Sequence, residues 1–295
     1  MKTGNAAPPK QFGFVILNFR NFEETIECVE SILRISSDDY HIAIVDNDSP
    51  NESFRVLAEK YSSFENIEVI QSGKNGGYSA GNNCGIRFLE SLGIKNFIIA
   101  TSDTIVVSKD ILQQLKEIDL DHVGVVGPRI RTPQGEDQNP LERRVGLNYV
   151  LNIHFPSITS FFRNGLYSLV PRLKSFVRDR KDYVRKTAPS ESVFMVHGSF
   201  LLLTSAYIAN CGLLDESIFM YGEEDLLAYS CRKNSLKTLY IPSIEIIHKD
   251  AKSTPKEHNN SFTTLHSSKS MVYLRKKIRL ATLLSYSIQD FVHHV

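Results

Sequence analysis

The sequence lacks the features of a thiol-metal site, a secreted protein or a membrane-spanning protein. Its four cysteines (Cys28, Cys84, Cys211 and Cys231) form no C-x-x-C pair, so neither a zinc site nor a thioredoxin-like motif is expected. No apolar run reaches the roughly 18 residues that a membrane span needs. Residues 1–11 are polar, lack the apolar stretch of a signal peptide and are predicted to be a flexible N-terminus. These absences predict reduced thiols and a cytoplasmic location.

A strong charge of either sign is also missing. The 295 residues hold 34 Lys and Arg against 33 Asp and Glu, for a formal net charge of +1. This balance excludes a nucleic-acid-binding polycation, so no nucleic-acid partner is expected. The 42% hydrophobic content suits a globular protein with a large core.

Short apolar runs alternate with helical patterns through the first half of the chain. We predict strands over 12–18, 41–45, 67–70 and 97–100, and helices over 22–35, 53–61 and 80–92. This order predicts a doubly wound, mainly parallel α/β sheet flanked by helices, in which ligands bind at the carboxyl ends of the strands. Asn18, Asp46 and Asp103 all fall at such ends.

Two features can carry metal chemistry. Asp103 ends a predicted strand, and its carboxylate oxygens suit Mg²⁺ or Mn²⁺ bridged to a diphosphate. Alternatively, Ser102 or Asp103 is the N-cap of a helix predicted over 109–115. His248 ends a later strand, where it is either a core or rim residue or a further metal ligand.

Three adjacent carboxylates, Glu223, Glu224 and Asp225, follow an apolar, aromatic run. Because they repel one another, at least one should have a raised pKa or a cation nearby. A carboxylate in a partly dry pocket can deprotonate a hydroxyl. The alternative is that all three only complement the dipole at the start of a helix.

Taken in order, several motifs resemble those of the family 2 glycosyltransferases, in the branch of rhamnosyl- and galactosyltransferases of bacterial surface polysaccharides. The quoted segments are 17–21 (LNFRN), 45–49 (VDNDS), 75–85 (NGGYSAGNNCG), 101–104 (TSDT), 198–202 (GSFLL), 212–216 (GLLDE) and 219–225 (FMYGEED), followed by His248. The resemblance covers about residues 12–252 and implies a GT-A type fold with a mixed, mainly parallel sheet.

The resemblance implies an inverting enzyme that uses a UDP- or dTDP-sugar donor. Four groups of residues receive roles from it: Asn18, Asp46, Asn75 and Ser102 bind the nucleotide; Asp103 and His248 hold Mg²⁺ or Mn²⁺; Asp225, or else Glu224, is the general base; Gly198, Tyr221 and Glu223 line the acceptor and donor pocket. The expected acceptor is a hydroxyl of a saccharide or lipid-linked saccharide in cell-surface polysaccharide synthesis.

This sequence departs from the family pattern at two points. Asp103 is the only carboxylate of its motif, which predicts modest metal affinity, and the contiguous acids at 223–225 leave two or three candidate bases. The first departure supports an alternative, a degenerate sugar-nucleotide-binding partner subunit without catalysis. A dinucleotide-dependent oxidoreductase is disfavoured, because no G-x-G-x-x-G follows the first strand.

These roles divide the chain into a nucleotide-sugar-binding half (12–130), an insert (131–190), an acceptor and catalytic half (191–252) and a helical tail (253–295). The insert is expected to be helical and is rich in basic and aromatic residues. That mixture suits the inner face of the plasma membrane, or else a solvated acceptor loop. The tail is expected to dock on the core, on a second copy in a homodimer or on a membrane surface.

Overall fold

A single mixed sheet organises the described part of the chain. The computed structural model describes residues 10–141, 190–249 and 259–278, with side chains of the last range described from Phe262. The strands of the sheet are β1 (Phe12–Asn18), β2 (Tyr40–Asp46), β3 (Ile67–Gln71), β4 (Asn96–Thr101), β5 (Thr104–Val106), β6 (Val123–Arg131), β7 (Glu191–Val193), β8 (Phe200–Leu203) and β9 (Lys237–His248). Their order is β3-β2-β1-β4-β8-β6-β9-β5, and β7 pairs with β9.

Helices cover both faces of this sheet. They are α1 (Phe22–Ile32), α2 (Ser53–Tyr61), α3 (Gly77–Ser91), α4 (Ile111–Lys116), α5 (Ser205–Cys211), α6 (Glu223–Lys233) and α7 (Asn259–Lys277). β1 shows why both faces are covered, since its side chains alternate between two cores. Phe14 packs in the core with α1, α2 and α4, whereas Val15 packs in the core with α3, α5 and α6.

The parallel strands β3, β2, β1 and β4 bring their carboxyl ends to one edge. In the register, Asn18 lies opposite Asp46, and Leu17 lies opposite Thr101. The polar residues that directly follow these buried strands therefore line one common edge of the sheet, as the sequence pattern predicts.

The remaining strands complete the same edge from the other direction. β8 is antiparallel to β4, with Phe200 opposite Ala100, so β8 begins at this edge. β9 is parallel to β6 and ends here at His248, opposite Thr104 of β5. Residues from distant parts of the sequence therefore converge where the parallel strands end.

The structure confirms the α/β class and corrects several predicted elements. β9 is one continuous strand, whereas the apolar pattern predicts two short strands over 239–241 and 244–247. α7 begins at Asn259, whereas the helical pattern of the tail begins at Ser268. The short elements β5 and α5 are absent from the sequence-based prediction. Because β5 directly follows Asp103, neither Ser102 nor Asp103 is the N-cap of α4. The predictions for residues 1–9, 142–189 and 279–295 lie outside the described residues.

In the ranges that the structure describes, no helix combines the length and apolarity that crossing a membrane requires.

Candidate active site

Asp103 and His248 come together because β5 pairs with β9. Thr104, which directly follows Asp103, lies opposite His248 in the antiparallel register. The backbone amide of Lys249 donates to the Asp103 carbonyl over 2.9 Å. As a result, Nε2 of His248 lies 3.4 Å from Oδ2 of Asp103. The sheet thus joins the two residues predicted to hold a metal.

The other nitrogen of the His248 ring determines what faces Asp103. Nδ1 lies 2.8 Å from Oε1 of Gln138, an amide oxygen that only accepts hydrogen bonds, so Nδ1 carries a proton. In the neutral ring, Nε2 is then an acceptor beside a carboxylate oxygen. Two such acceptors 3.4 Å apart require a cation or a proton to stabilise them. The pair therefore fits a divalent metal ion.

The pair alone does not form a complete metal cage. Across the described ranges, no group of three or more His, Cys, Asp or Glu side chains is arranged to hold a metal. Mg²⁺ is commonly held by one or two carboxylates together with substrate phosphates and water. Asp103 and His248 match that pattern of partial protein ligation.

The Asp103 carboxyl is ionised at neutral pH. Burial pushes its pKa upward, but the hydrogen bond and charge of the protonated form of His248 and a hydrogen bond from Thr101 hold the pKa below its ordinary value. Thr101 Oγ1 donates to Oδ1 of Asp103 over 2.7 Å. Ser102, predicted to bind the nucleotide, lies half-buried between these two residues in the β4–β5 turn. The turn thus presents a fixed anionic oxygen to a cation.

His197 lies beside His248, although the sequence-based prediction did not include it. The centroid of its ring lies 5.3 Å from that of His248. Its Nδ1 accepts a hydrogen bond from the Ser199 amide over 3.1 Å, and its own amide donates to Asn139 over 3.0 Å. The available signal was its position directly before Gly198-Ser199 in a recognised motif.

The acidic cluster, Glu223 to Asp225, forms the first turn of α6. Oε1 of Glu224 accepts a hydrogen bond from the Gly198 amide over 3.2 Å. A Cβ atom at Gly198 would lie 3.0 Å from that same oxygen, so the glycine permits the close approach. Since helix residues project at about 100° intervals, the three carboxylates point in different directions.

A short segment connects the cluster with the metal pair. The Ser199 carbonyl accepts a hydrogen bond from the Thr101 amide over 2.8 Å, next to Asp103. The Gly198 carbonyl accepts one from the Tyr78 hydroxyl over 2.6 Å. Burial, followed by the charges of Glu223 and Glu224, raises the Tyr78 pKa well above its ordinary value, so Tyr78 stays a neutral donor. Gly198 and Ser199 therefore separate Asp103 from Glu224.

Asn18 and Asp46 are fully buried at the ends of β1 and β2. Oδ2 of Asp46 accepts from the Asn18 amide group over 2.7 Å, and Oδ1 accepts from the Ser49 backbone amide over 2.9 Å. The Asn18 side-chain oxygen in turn accepts from Thr25 over 2.8 Å. We call Asn18, Asp46, Ser49 and Thr25 the donor-side network, after the nucleotide-sugar donor that Asn18 and Asp46 are predicted to bind.

Asn75, the other predicted nucleotide residue, joins a neighbouring contact. Its side-chain oxygen accepts hydrogen bonds from Asn47 over 3.0 Å and from the Gly77 amide over 3.1 Å. Asn47 directly follows Asp46, so Asn75 lies one residue removed from the donor-side network. Gly77 has a φ of 85°, and a Cβ there would lie 2.0 Å from the Phe219 carbonyl oxygen. The loop before α3 therefore packs against the segment that leads into the acidic cluster.

Helix α7 also contacts the segment that leads into the acidic cluster. Tyr221, with a φ of 69°, places its hydroxyl 3.2 Å from that of Thr263. The Ser270 hydroxyl donates to the Met220 carbonyl over 2.8 Å. Tyr221 thus contacts α7 within two residues of the acidic cluster, and its predicted pocket role remains a prediction.

Asp215 anchors the start of the same segment to α7. Its Oδ2 accepts from the Tyr273 hydroxyl over 2.9 Å and pairs with the ammonium of Lys277. Burial raises the pKa of Asp215, but bonds from Lys277, Ser217 and Tyr273 outweigh it and lower the pKa to about 2. The approach to the acidic cluster is therefore fixed by an ionised contact.

Several solved structures share this architecture. GalNAc-T7 with UDP, GalNAc and Mn²⁺ has a TM-score of 0.57 at 14% identity, over 82% of this chain and 44% of that one. The mannosyltransferase PcManGT from Pyrobaculum calidifontis, in complex with GDP-Man and Mn²⁺, has a TM-score of 0.58 at 10% identity, over 95% and 70%. At such identities the likeness shows the fold, which is of the GT-A glycosyltransferase type.

The sequence comparisons show the family. The sequence model of glycosyl transferase family 2 matches residues 14–183, more than half of the chain, so the protein belongs to that family. It is 25% identical over 235 residues to the low-salt glycan biosynthesis hexosyltransferase Agl10 of Haloferax volcanii, covering 79% of this chain and 66% of that protein. The chain thus spans just under two thirds of that relative.

A second relative is the N-acetylglucosaminyl-diphospho-decaprenol L-rhamnosyltransferase of Mycobacterium tuberculosis. The two chains are 27% identical over 242 residues, which cover 77% of this chain and 72% of that protein. Both relatives have names that describe transfer of a sugar, in agreement with the family.

Proposed function

We propose that this protein is an inverting glycosyltransferase that moves a sugar from a UDP- or dTDP-linked donor to a hydroxyl of a saccharide or lipid-linked saccharide. The observation that carries the proposal is the proximity of two groups: the Asp103–His248 pair and Glu224 flank the same segment, Gly198–Ser199. This proximity supports a metal bound to the donor's diphosphate next to a candidate base.

The donor would bind across the ends of β1, β2 and β4. Asn18, Asp46 and Asn75 are the proposed contacts for the nucleotide, and Ser102 lies nearer the diphosphate. The solved neighbours contain UDP or GDP-Man together with Mn²⁺, as their names state, which supports a nucleotide-sugar donor and a divalent metal for this chain. A bound Mg²⁺ or Mn²⁺ at Asp103 and His248 would offset the charge of the leaving diphosphate.

A carboxylate of the acidic cluster would accept the proton of the acceptor hydroxyl. Asp225 is the preferred base and Glu224 the second candidate. Either carboxylate would take the proton as the acceptor oxygen bonds to the anomeric carbon, and the bond from that carbon to the diphosphate oxygen would break. Gly198, Tyr221 and Glu223 would line the space where donor and acceptor meet. Because attack and departure occur on opposite faces of the sugar, the configuration inverts.

The nature of the acceptor is supported by one relative. The mycobacterial protein is named for a diphospho-decaprenol-linked acceptor. A lipid-linked acceptor would bring this chain to the inner face of a membrane, where the basic residues of its insert would meet anionic headgroups.

One observation favours a second candidate, a sugar-nucleotide-binding partner subunit without catalysis. Asp103 is the only carboxylate in the segment 101–104, so the protein supplies fewer metal ligands than many relatives are expected to have. The activities of single variants distinguish the two candidates.

The test measures release of nucleoside diphosphate and sugar transfer from a panel of UDP- and dTDP-sugars with Mn²⁺. We expect Asp225→Asn to reduce the rate by about 10²–10⁴-fold, the usual contribution of a general base. Glu224→Gln identifies the base if its loss is the larger. The exposed Glu90→Gln is the control and should match the wild type. Equal rates for Asp225→Asn, Glu224→Gln and the wild type would remove both assigned bases.

A further inference from the structure

Glu223 differs from the other members of the acidic cluster in having an oxygen without a hydrogen-bond partner. The residue is 8% exposed, its Oε1 is shielded from solvent, and no donor in the described ranges reaches that atom. An ionised oxygen left dry and unpartnered costs several kcal/mol, whereas a neutral carboxyl group costs far less. The geometry therefore favours the protonated form of Glu223.

Glu223 also lines a cavity of about 160 Å³ between α3, α5, α6 and α7. Leu226, Leu227 and Ser230 follow on the same face of α6 and line it with Glu223. Pockets for drug-sized ligands usually measure about 300–1,000 Å³, so this cavity is too small for a sugar nucleotide. A sugar nucleotide would therefore not reach Glu223 from this side of the residue.

The charges around Glu223 also favour its neutral form. The titratable groups that face it are Glu224 and Asp225 in α6, Tyr78 in α3, Tyr207 and Cys211 in α5, Asp215 in the preceding segment, and Lys277 in α7. Lys277 is the cation of this set, and its ammonium already bonds to Asp215 and to the Tyr273 hydroxyl. Lys277 is thus engaged by Asp215 and Tyr273.

Two effects oppose protonation, and their size decides the balance. The start of a helix stabilises an anion, and the backbone amides of Glu223 and Tyr221 also bond to the carboxylate. Burial can raise a carboxyl pKa by as much as about 3–5 units. Burial, then the charge of Glu224, outweighs the amides and raises the pKa of Glu223 to about 7.

We propose that Glu223, with its buried oxygen lacking a hydrogen-bond partner in the described ranges, is held as a neutral carboxylic acid, and that it thereby confines the negative charge of the cluster to Glu224 and Asp225. Glu223 does not take the acceptor proton in this arrangement, because it already carries one. It acts through its two neighbours, by sparing them a third adjacent charge. The link to the base rests on the proposed function; the protonation itself does not.

The first test is thermal stability against pH, which needs no substrate. An unfolded Glu ionises near 4.5 and Glu223 in the folded protein near 7, so between these values the folded state binds more protons. The stabilisation is complete below about pH 4.5 and is lost as pH rises through about 7. Glu223→Gln cannot ionise and keeps the shape of the protonated acid.

We expect the Tm of Glu223→Gln, relative to that of the wild type, to rise as pH increases from about 5 to about 8. Glu90→Gln, on the surface of α3, should follow the wild-type profile throughout. Parallel profiles for Glu223→Gln and the wild type would overturn the proposal.

A second measurement uses the wild-type protein and therefore does not require Glu223→Gln to fold. In wild-type protein with ¹³C-labelled Glu carboxyl groups, NMR should show one carboxyl that titrates near pH 7. Glu224→Gln should lower that midpoint, since it removes the largest neighbouring charge. Absence of any Glu titrating above about pH 6 would contradict the proposal.

The pH profile of kcat provides the link to catalysis. We expect a wild-type inflection near pH 7 that is missing in Glu223→Gln, and its persistence in the variant would overturn the link to the base. If no donor is turned over while the NMR midpoint is near 7, the proposed function fails and the protonation of Glu223 stands.

Discussion

The donor-side network and the acidic cluster satisfy their carboxylates in different ways. Both oxygens of Asp46 accept a hydrogen bond from a buried neighbour, although the residue is fully buried. Glu223 is nearly as buried, yet its Oε1 has no partner in the described ranges. The donor side is thus preorganised by polar contacts, whereas the acidic cluster retains like charges in a dry environment.

Under the proposed function, this difference separates the residues that would bind the donor from those that would carry out the chemistry. A nucleotide pocket needs fixed hydrogen-bonding groups, which the ends of parallel strands provide. A general base needs an environment that changes carboxyl pKa values, and burial next to like charges has that effect. The two regions meet where Gly77 packs on the Phe219 carbonyl.

The largest loss of stability is expected at the contact between the donor-side region and the segment before the acidic cluster. Gly77→Ala would place a Cβ 2.0 Å from the Phe219 oxygen, at a φ of 85° that disfavours side chains. We expect a loss of about 3–5 kcal/mol in the free energy of unfolding, from backbone strain and overpacking. Chemical denaturation measures it.

Gly73→Ala is the matched control. Gly73 has a similar φ of 77°, but a Cβ added there would meet no atom of the described ranges within 4 Å, its chain neighbours aside. It should lose only about 1–2 kcal/mol, the cost of the left-handed backbone. Equal losses for the two variants would show that the contact with Phe219 does not connect the regions.

A second loss of stability is expected in the donor-side network. Asp46→Ala leaves the Asn18 amide group and the Ser49 backbone amide without their acceptor. Each unsatisfied buried group costs about 1–3 kcal/mol, so we expect a loss of about 2–6 kcal/mol for the two groups. Asp46→Asn, which keeps one acceptor, should lose less. If urea titrations gave Asp46→Ala wild-type stability, the network would not be preorganised as described.

The smallest effect concerns the contact between Asp215 and α7. The pKa of Asp215 is lowered to about 2 from an ordinary 3.8, so its stabilisation is present above about pH 4 and is lost as pH falls through 2. Asp215→Asn should reduce stability by about 1–2 kcal/mol at neutral pH and by less near pH 2. A difference from the wild type that grows as the pH falls from 4 would contradict this assignment.

The sequence pattern predicts the parallel half of the fold closely. β1 and α2 match their predicted bounds, because a buried apolar run and an amphipathic run each end at polar turn residues. The placement of Asn18, Asp46 and Asp103 at one edge follows from the same pattern. These features could be predicted because they depend on residues that are close together in the sequence.

Tertiary contacts decide the features that the sequence left unpredicted. The short strand β5 exists through its pairing with the distant β9, so its own three residues carry little signal. The position of His197 beside His248 depends on how β8 begins beside β4. Similarly, only the packing of α6 distinguishes Glu223, with its unpartnered oxygen, from Glu224, which bonds to Gly198.

The most direct test of the account is metal-dependent donor binding at Asp103. Thermal shift is measured with UDP- and dTDP-sugars, with and without Mn²⁺, for the wild type, Asp103→Asn and the surface variant Glu90→Gln. At a ligand concentration of 100 times Kd, binding adds about 2.7 kcal/mol to stability. We predict that at least one donor raises the Tm of the wild type and of Glu90→Gln. In Asp103→Asn, the part of this rise in Tm that depends on Mn²⁺ should be absent. An equal Mn²⁺-dependent shift in Asp103→Asn, or no shift with any donor, would contradict the account.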